Sequence, residues 1–313
     1  MAKQAVLLLA HGTPENAGQI PEYLHNVAGG RPMPQAVIDE VQRRYALIGH
    51  SPLTKITLEQ ARLVEAELAS MGEPTPVYAA MRNWRPTIPD VLGRMRADGV
   101  TEAAVLCLAP HNAHVSVGLY RHAVESAAAD LHLDFTGSWA AHPLLIEAFA
   151  ERLRPALTRF SAEVGAPVPV LFTAHSVPCR TLEACDPYAD EARRTAALVA
   201  ARVPDIPQWF FAFQSQSINA ASASKAAWLG PTVEQTLDAI AAAGVRTLLL
   251  QPIGFLCDHL EILYDVDIHF RAYAAGRGLR LERTESLNAS ASLVRAIADL
   301  ARLGLERLGR AQP

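Results

Sequence analysis

Glu261, Asp265 and His269 repeat at i, i+4 and i+8 within residues 251–270, QPIGFLCDHLEILYDVDIHF. On an α-helix with 1.5 Å rise they climb one face in steps of about 6 Å. Two carboxylates and an imidazole are metal-ligand types, so the stripe reads as a ladder of ligands. At about 100° per residue, Asp265 and His269 fall near 40° and 80° from Glu261, beside an apolar arc of Ile262, Leu263, Val266, Phe270 and Tyr273. The ladder therefore borders a buried face and should look into a cleft. A plainer reading uses the same residues: Asp258 as an N-cap with Glu261 at N3, and Asp267 with Arg271 as a solvent-face pair.

A second chemical signal is a histidine set directly after an apolar strand. His175 stands in Ala174-His175-Ser176-Val177-Pro178, and His11 stands in Ala10-His11-Gly12-Thr13-Pro14. A turn closed by proline holds each imidazole at a strand's carboxyl end, where it can carry a proton or bind a metal as the neutral ring. The plainer reading of either is a histidine satisfied by nearby backbone.

The elements that would position these groups alternate along the chain. Apolar runs predict strands at 4–10, 75–80, 103–109, 133–139, 168–174, 208–214, 246–252 and 279–284, with helical patterns between them. Thr57 with Gln60 and Thr232 with Gln235 form capping-box pairs, and Gly72, Gly99 and Gly244 stand where helices end. Strand–helix alternation implies α/β architecture: parallel sheets covered on both faces. The Ala-His turns echo each other, as do Val105–Pro110 and Leu248–Pro252. This pattern implies two similar α/β lobes with a cleft between them, hinged near Gly165-Ala166-Pro167-Val168-Pro169.

Composition bounds the function. The 313 residues carry a net charge of −4 and are 50% hydrophobic. Lysine and arginine form no basic run, so nucleic acid is not an expected partner. No apolar stretch is long enough for a transmembrane segment, and the N-terminus reads as a first strand rather than a signal peptide. The four cysteines form no CxxC, and a cytoplasmic protein with reduced thiols is expected. No GxGxxG follows a strand and no P-loop occurs, which argues against a nucleotide or flavin site.

Together these segments resemble the ferrochelatases, enzymes that insert ferrous iron into a porphyrin. The resemblance rests on Gly12-Thr13-Pro14, Tyr45 to Gly49, Ser51-Pro52-Leu53, Gln60, Ala109-Pro110-His111 with Ser116 and Tyr120, Ala174 to Pro178, Trp228 to Pro231, and Pro252 to Asp265. It runs from about residue 5 to 310. It implies two Rossmann-like lobes with a porphyrin cleft between them: an N-terminal lobe over 1–160, a C-terminal lobe over 161–285, and a C-terminal helix over 286–313 packing back on the first lobe.

The resemblance also implies that His175 and Glu261 are the catalytic pair, facing each other across the macrocycle. Asp265 and His269 would extend a metal line toward the surface. His11, Arg31, Ser51, Tyr120 and Trp228 become substrate contacts, with Arg31, Ser51 and Tyr120 suited to propionates. Fe²⁺ enters as substrate, with no tightly bound cofactor. An iron–sulfur cluster is not expected, because no cysteine follows Cys257. Transient contact with neighbouring haem-pathway enzymes is the expected partner relation beyond the porphyrin itself.

Three departures sharpen the picture. His269 stands where relatives often carry glutamate, which softens the outer rung toward Fe²⁺ or Zn²⁺. His11 stands where some Gram-positive members have a tyrosine near the iron, so its imidazole could ligate the product. The segment 216–227 differs from the family's shorter loop. Closeness to the cluster-free soluble type favours coproporphyrin III over protoporphyrin IX. The alternatives are a cobalt or nickel chelatase of another tetrapyrrole and a non-catalytic two-lobe binding protein.

Overall fold

A computed structural model describes residues 2–128, 130–182, 186–215 and 227–310. Eight strands form two parallel four-stranded sheets. β1 (Gln4–Ala10), β2 (Val77–Met81), β3 (Glu102–Cys107) and β4 (His132–Phe135) build the first, in the order β2-β1-β3-β4. The second repeats the order as β6-β5-β7-β8, from β5 (Val170–His175), β6 (Trp209–Gln214), β7 (Thr247–Pro252) and β8 (Arg280–Arg283). Equal strand order makes His11 and His175 topological equivalents, each at the carboxyl end of its sheet's first central strand.

The covering helices are α1 (Ile20–Val27), α2 (Gln35–Ile48), α3 (Leu53–Ser70), α4 (Ile88–Ala97), α5 (Leu119–Ala127), α6 (Pro143–Val164), α7 (Tyr188–Arg202), α8 (Val233–Ala242), α9 (Arg271–Ala275) and α10 (Ala291–Arg310). One apolar core joins the facing sides of both sheets, from Val6 and Leu8 through Phe149 and Ile297 to Phe172 and Leu249. Burying each such side chain contributes about 1.5–3 kcal/mol, which resists separation of the halves. α10 closes this core against the first sheet: Gly304 sits where a Cβ would come within 2.8 Å of Ala104 Cβ, and Arg307 pairs with Asp134.

Some local expectations change. Thr232 and Gln235 do form a capping box at the start of α8. Thr57 and Gln60 do not cap a helix, because Pro52 already starts α3 before them. Thr57 instead bonds back to the Leu53 carbonyl, and Gln60 reaches the Asn288 carbonyl at 2.6 Å. β4 stops at Phe135, and Trp139 turns into the core with its indole N–H on the Cys107 carbonyl.

Candidate active site

The ladder segment folds as a π-helix, Glu261–Phe270, that continues into α9. Its i→i+5 bonds widen each turn beyond four residues, so side chains four apart lie closer to one line than on an α-helix. Ile262, Val266 and Phe270 bury against the second sheet, as the apolar arc required. Asp258 does not cap this helix. Its carboxylate accepts from Ser286 Oγ at 2.7 Å and Asn288 Nδ2 at 2.9 Å, and it pairs with Arg283. Asp267 does pair with Arg271, at 3.9 Å, but it is only partly exposed, since Arg283 also grips it through two bonds of 2.7 and 2.9 Å.

The carboxyl ends of both sheets open onto one cavity of about 460 Å³, within the range usual for small-molecule sites. His11, Tyr120, His175, Trp228 and Glu261 all line it. At its centre His175 Nε2 lies 3.4 Å from Glu261 Oε1. This distance corrects the arrangement expected across a macrocycle: a flat ring needs about 3.5 Å of van der Waals clearance on each face, so none fits between the two groups. His175 and Glu261 must approach a ring from the same side.

Both groups are positioned by neighbours from several elements. The His175 carbonyl accepts from Tyr188 Oη at 2.8 Å. Gly254 presses on the end of β5 so closely that a Cβ there would lie 2.7 Å from Ala174 Cα. Thr173 Oγ1 donates to Gln214 Oε1, and Gln214 Nε2 donates to the Glu261 carbonyl at 3.3 Å, tying the strand ends to the start of the π-helix. His259 Nε2 stands 3.4 Å from the other Glu261 oxygen.

Electrostatics separates the two equivalent histidines. Burial pulls His175 toward its neutral form, but the charge and hydrogen bond of Glu261 outweigh it and raise its pKa above the ordinary 6.5. Burial alone would raise Glu261; the His175 and His259 imidazoles instead hold it well below the usual carboxylate range. Both side chains keep about a third of their surface open to the cavity, 31% for His175 and 36% for Glu261. Among the described residues His11 has no carboxylate in direct contact. Burial, followed by the Arg82 charge, pushes it down to about 4, and it sits as a neutral ring 2.9 Å from Tyr23 Oη and 3.2 Å from Asn83 Nδ2.

The remaining rungs are engaged separately. Asp265 is buried, accepting from Ser215 Oγ at 2.5 Å and pairing with Arg44 at 3.3 Å. Burial and the Glu261 charge push it up to about 6. Ser215 holds this contact from a left-handed backbone, φ 61°, a conformation that costs a non-glycine residue of order 1–3 kcal/mol. His269 lies at the surface, 3.1 Å from Glu234 Oε1. Among the described residues no three of these side chains converge as a metal cage. The stripe presents its groups in series.

Two expected contacts lie elsewhere. Arg31 is exposed and donates to the Ala28 carbonyl, and Ser51 is buried beside a separate surface depression next to α3, so neither lines the cavity. Most of the divergent segment 216–227 lies outside the described residues, as does Cys185. Sequence reasoning gave no role to Arg82 and Asn83, though they directly follow β2 at the ligand-binding end of the sheet, a signal that could have found them. It also passed over His259, which sits two residues before Glu261. Arg44, Ser215 and Glu234 left no local trace, because each reaches the stripe from a distant segment.

Two parallel sheets of matched order, meeting over a cavity with an imidazole–carboxylate pair, define the class of two-lobed metal chelatases. The solved structure of the sirohydrochlorin chelatase SirB from Bacillus subtilis subspecies spizizenii, in complex with cobalt, has this fold: TM-score 0.58 at 12% identity, covering 99% of this chain and 98% of that one. The family model Ferrochelatase matches residues 3–305, and the chain belongs to that family. It is 52% identical over 98% of its length to the ferrochelatase of Acidobacterium capsulatum, covering 96% of that protein. It is 33% identical over 99% of its length to the coproporphyrin III ferrochelatase of Mycolicibacterium vanbaalenii, covering 94% of that protein. The protein is thus an enzyme of the lyase class, acting in haem biosynthesis with Fe²⁺ as substrate. No helix among the described residues is long and apolar enough to cross a membrane.

Proposed function

We propose that the enzyme inserts Fe²⁺ into coproporphyrin III in preference to protoporphyrin IX, with His175 and Glu261 as the pair that exchanges metal for protons. The two sheets with their covering helices act as the two lobes, the change from one to the other falling along α6, which runs through position 160, and α10 (Ala291–Arg310) is the returning helix. The single observation that carries the exchange of metal for protons is the 3.4 Å contact of His175 Nε2 with Glu261 Oε1 inside the shared cavity; the substrate preference is supported by the likeness to coproporphyrin III ferrochelatases such as that of Mycolicibacterium vanbaalenii. Two bonds of about 2.1 Å from one ion, set at 90–110°, hold nitrogen and oxygen donors about 3.0–3.4 Å apart. The pair is therefore already spaced to share a divalent cation.

The ring lies with one face on this pair and the other toward His11, whose neutral imidazole is available as an axial ligand to the metallated product. Insertion requires two pyrrole N–H protons to leave as Fe²⁺ enters. Neutral His175 accepts the two protons one after the other, releasing the first to cavity water before it takes the second, and its raised pKa makes it a stronger acceptor than a free imidazole. A cation arriving at Glu261 then favours proton loss from His175. Tyr120 and Trp228 supply cavity wall, and binding contacts remote from the ring centre can supply strain of a few kcal/mol that tilts a pyrrole nitrogen toward the pair. The path inward runs His269, Asp265, Glu261.

Anaerobic incubation with Fe²⁺ and either porphyrin, with absorbance as the readout, tests this. Higher kcat/KM with coproporphyrin III supports the substrate choice. A reversed order sinks that preference, and failure to metallate either porphyrin while binding both sinks the insertion reading.

A further inference from the structure

The ligand stripe ends at His269, and the group that meets it comes from another element. Glu234, on the first turn of α8, places Oε1 3.1 Å from His269 Nε2. Its position is fixed: the Thr232–Gln235 capping box sets the start of α8, and Val233 and Leu237 are buried against the second sheet. One turn further on, the same elements meet again where Tyr273 Oη donates to Asp238 at 3.0 Å. There Arg277 neutralises the carboxylate. No lysine or arginine of the described residues pairs with Glu234, so its charge is shared only with an imidazole and hydroxyl or amide groups. Both side chains also reach water, at 48% exposure for His269 and 34% for Glu234.

The pair's place at the end of the stripe, open to water and without a basic partner on the carboxylate, is joined by a compatible spacing. Donors bound to one ion by bonds of about 2.1 Å at 90–110° lie about 3.0–3.4 Å apart. The observed 3.1 Å, a hydrogen-bond distance, also falls in that window, as the His175–Glu261 contact does at the inner end, so an ion can replace the shared proton with little movement of either side chain. For an ion to enter, the proton between nitrogen and oxygen shifts to Nδ1 or leaves to water, and the cation takes its place. We infer that Glu234 and His269 together form the outer capture site of the metal path: two protein ligands, completed by water, for a borderline divalent cation. With only two protein ligands the site holds an ion loosely, as a station that must pass it on to Asp265 should. The inference rests on the proposed inward path and adds a ligand from outside the stripe.

Glu234→Gln tests it, because the amide can keep a hydrogen bond to His269 while losing the charge. We expect KM for Fe²⁺ to rise roughly tenfold. The porphyrin KM, kcat and Tm should stay within error, and Zn²⁺ titrated into the protein without porphyrin should bind more weakly. Glu234→Asp should recover part of the loss. If Glu234→Gln leaves the Fe²⁺ KM unchanged while Asp265→Asn raises it, the capture site is wrong and the path stands. If neither variant moves it, the path falls too. A joint fall in Tm and kcat with no change in Zn²⁺ affinity would make the contact a tie between helices and overturn the inference.

Discussion

His11 and His175 occupy the same place in two sheets of the same strand order, yet they are prepared for opposite work. His175 is held beside Glu261 and keeps its proton more tightly than a free imidazole; His11 is held by Tyr23 and Asn83 and stays neutral, down to about pH 4. The difference lies in the segment that each half places after its third strand. β7 leads through Gly254 to the π-helix and its carboxylates, whereas β3 leads to His111, buried and bonded to Thr195 Oγ1 at 2.9 Å. A repeated fold supplies equivalent positions, and the neighbouring charge decides which of them holds its proton more tightly; on the proposed mechanism that is the one that exchanges protons and metal.

The comparison breaks most sharply at its charged member. His175→Ala should lower kcat/KM for Fe²⁺ insertion by roughly a hundredfold or more, whereas His11→Phe should cost less than about tenfold and mainly change the product's absorbance. Equal losses in that assay would erase the distinction. Gly254→Ala comes next, since its new Cβ meets Ala174 backbone that cannot swing aside. We expect a loss of about 1–3 kcal/mol in denaturant unfolding, with a drop in activity from a displaced His175. A variant of wild-type stability would show that the β5–β7 contact does not position the histidine.

The middle rung offers a smaller, pH-dependent effect. Burial and the Glu261 charge push Asp265 up to about 6, so if it is a rung of the proposed path the Fe²⁺ KM should climb as pH falls through about 6. Asp265→Asn should have a raised KM lacking that pH dependence; persistence of the same limb in steady-state rates would assign it to another group. The least effect concerns stability. His11 and His111, lowered to about 4 and about 3, resist protonation when folded, while the unfolded chain takes up those protons near pH 6.5. Stability from these two groups is thus full above 6.5 and is lost as pH falls from there toward 4, a trend that Tm measured against pH should track.

Much of this organisation can be read from residue order. Buried parallel strands appear as short apolar runs, and all eight strands lie where such runs occur, with β1 matching residue for residue. The histidine turns were legible because a strand's end is a local event. The π-helix was not, since its wider turn depends on how Ile262, Val266 and Phe270 seat on the second sheet, and four-residue spacing suits either helix. Nor could spacing reveal that Arg44 reaches Asp265 across 221 positions, or that Ser215 and Glu234 meet the stripe. Arg31 misled for the same reason: residue type suggested a carboxylate contact, while its backbone places it on the Ala28 carbonyl.

Imidazole titration by ¹⁵N NMR tests most directly whether Glu261 makes the two histidines different. In the wild type we expect His175 to titrate above 6.5 and His11 near 4. In Glu261→Gln, burial without the counter-charge should bring His175 below 6.5. Coincident titration of the two rings in the wild type, or a His175 unmoved by loss of the Glu261 charge, would contradict it.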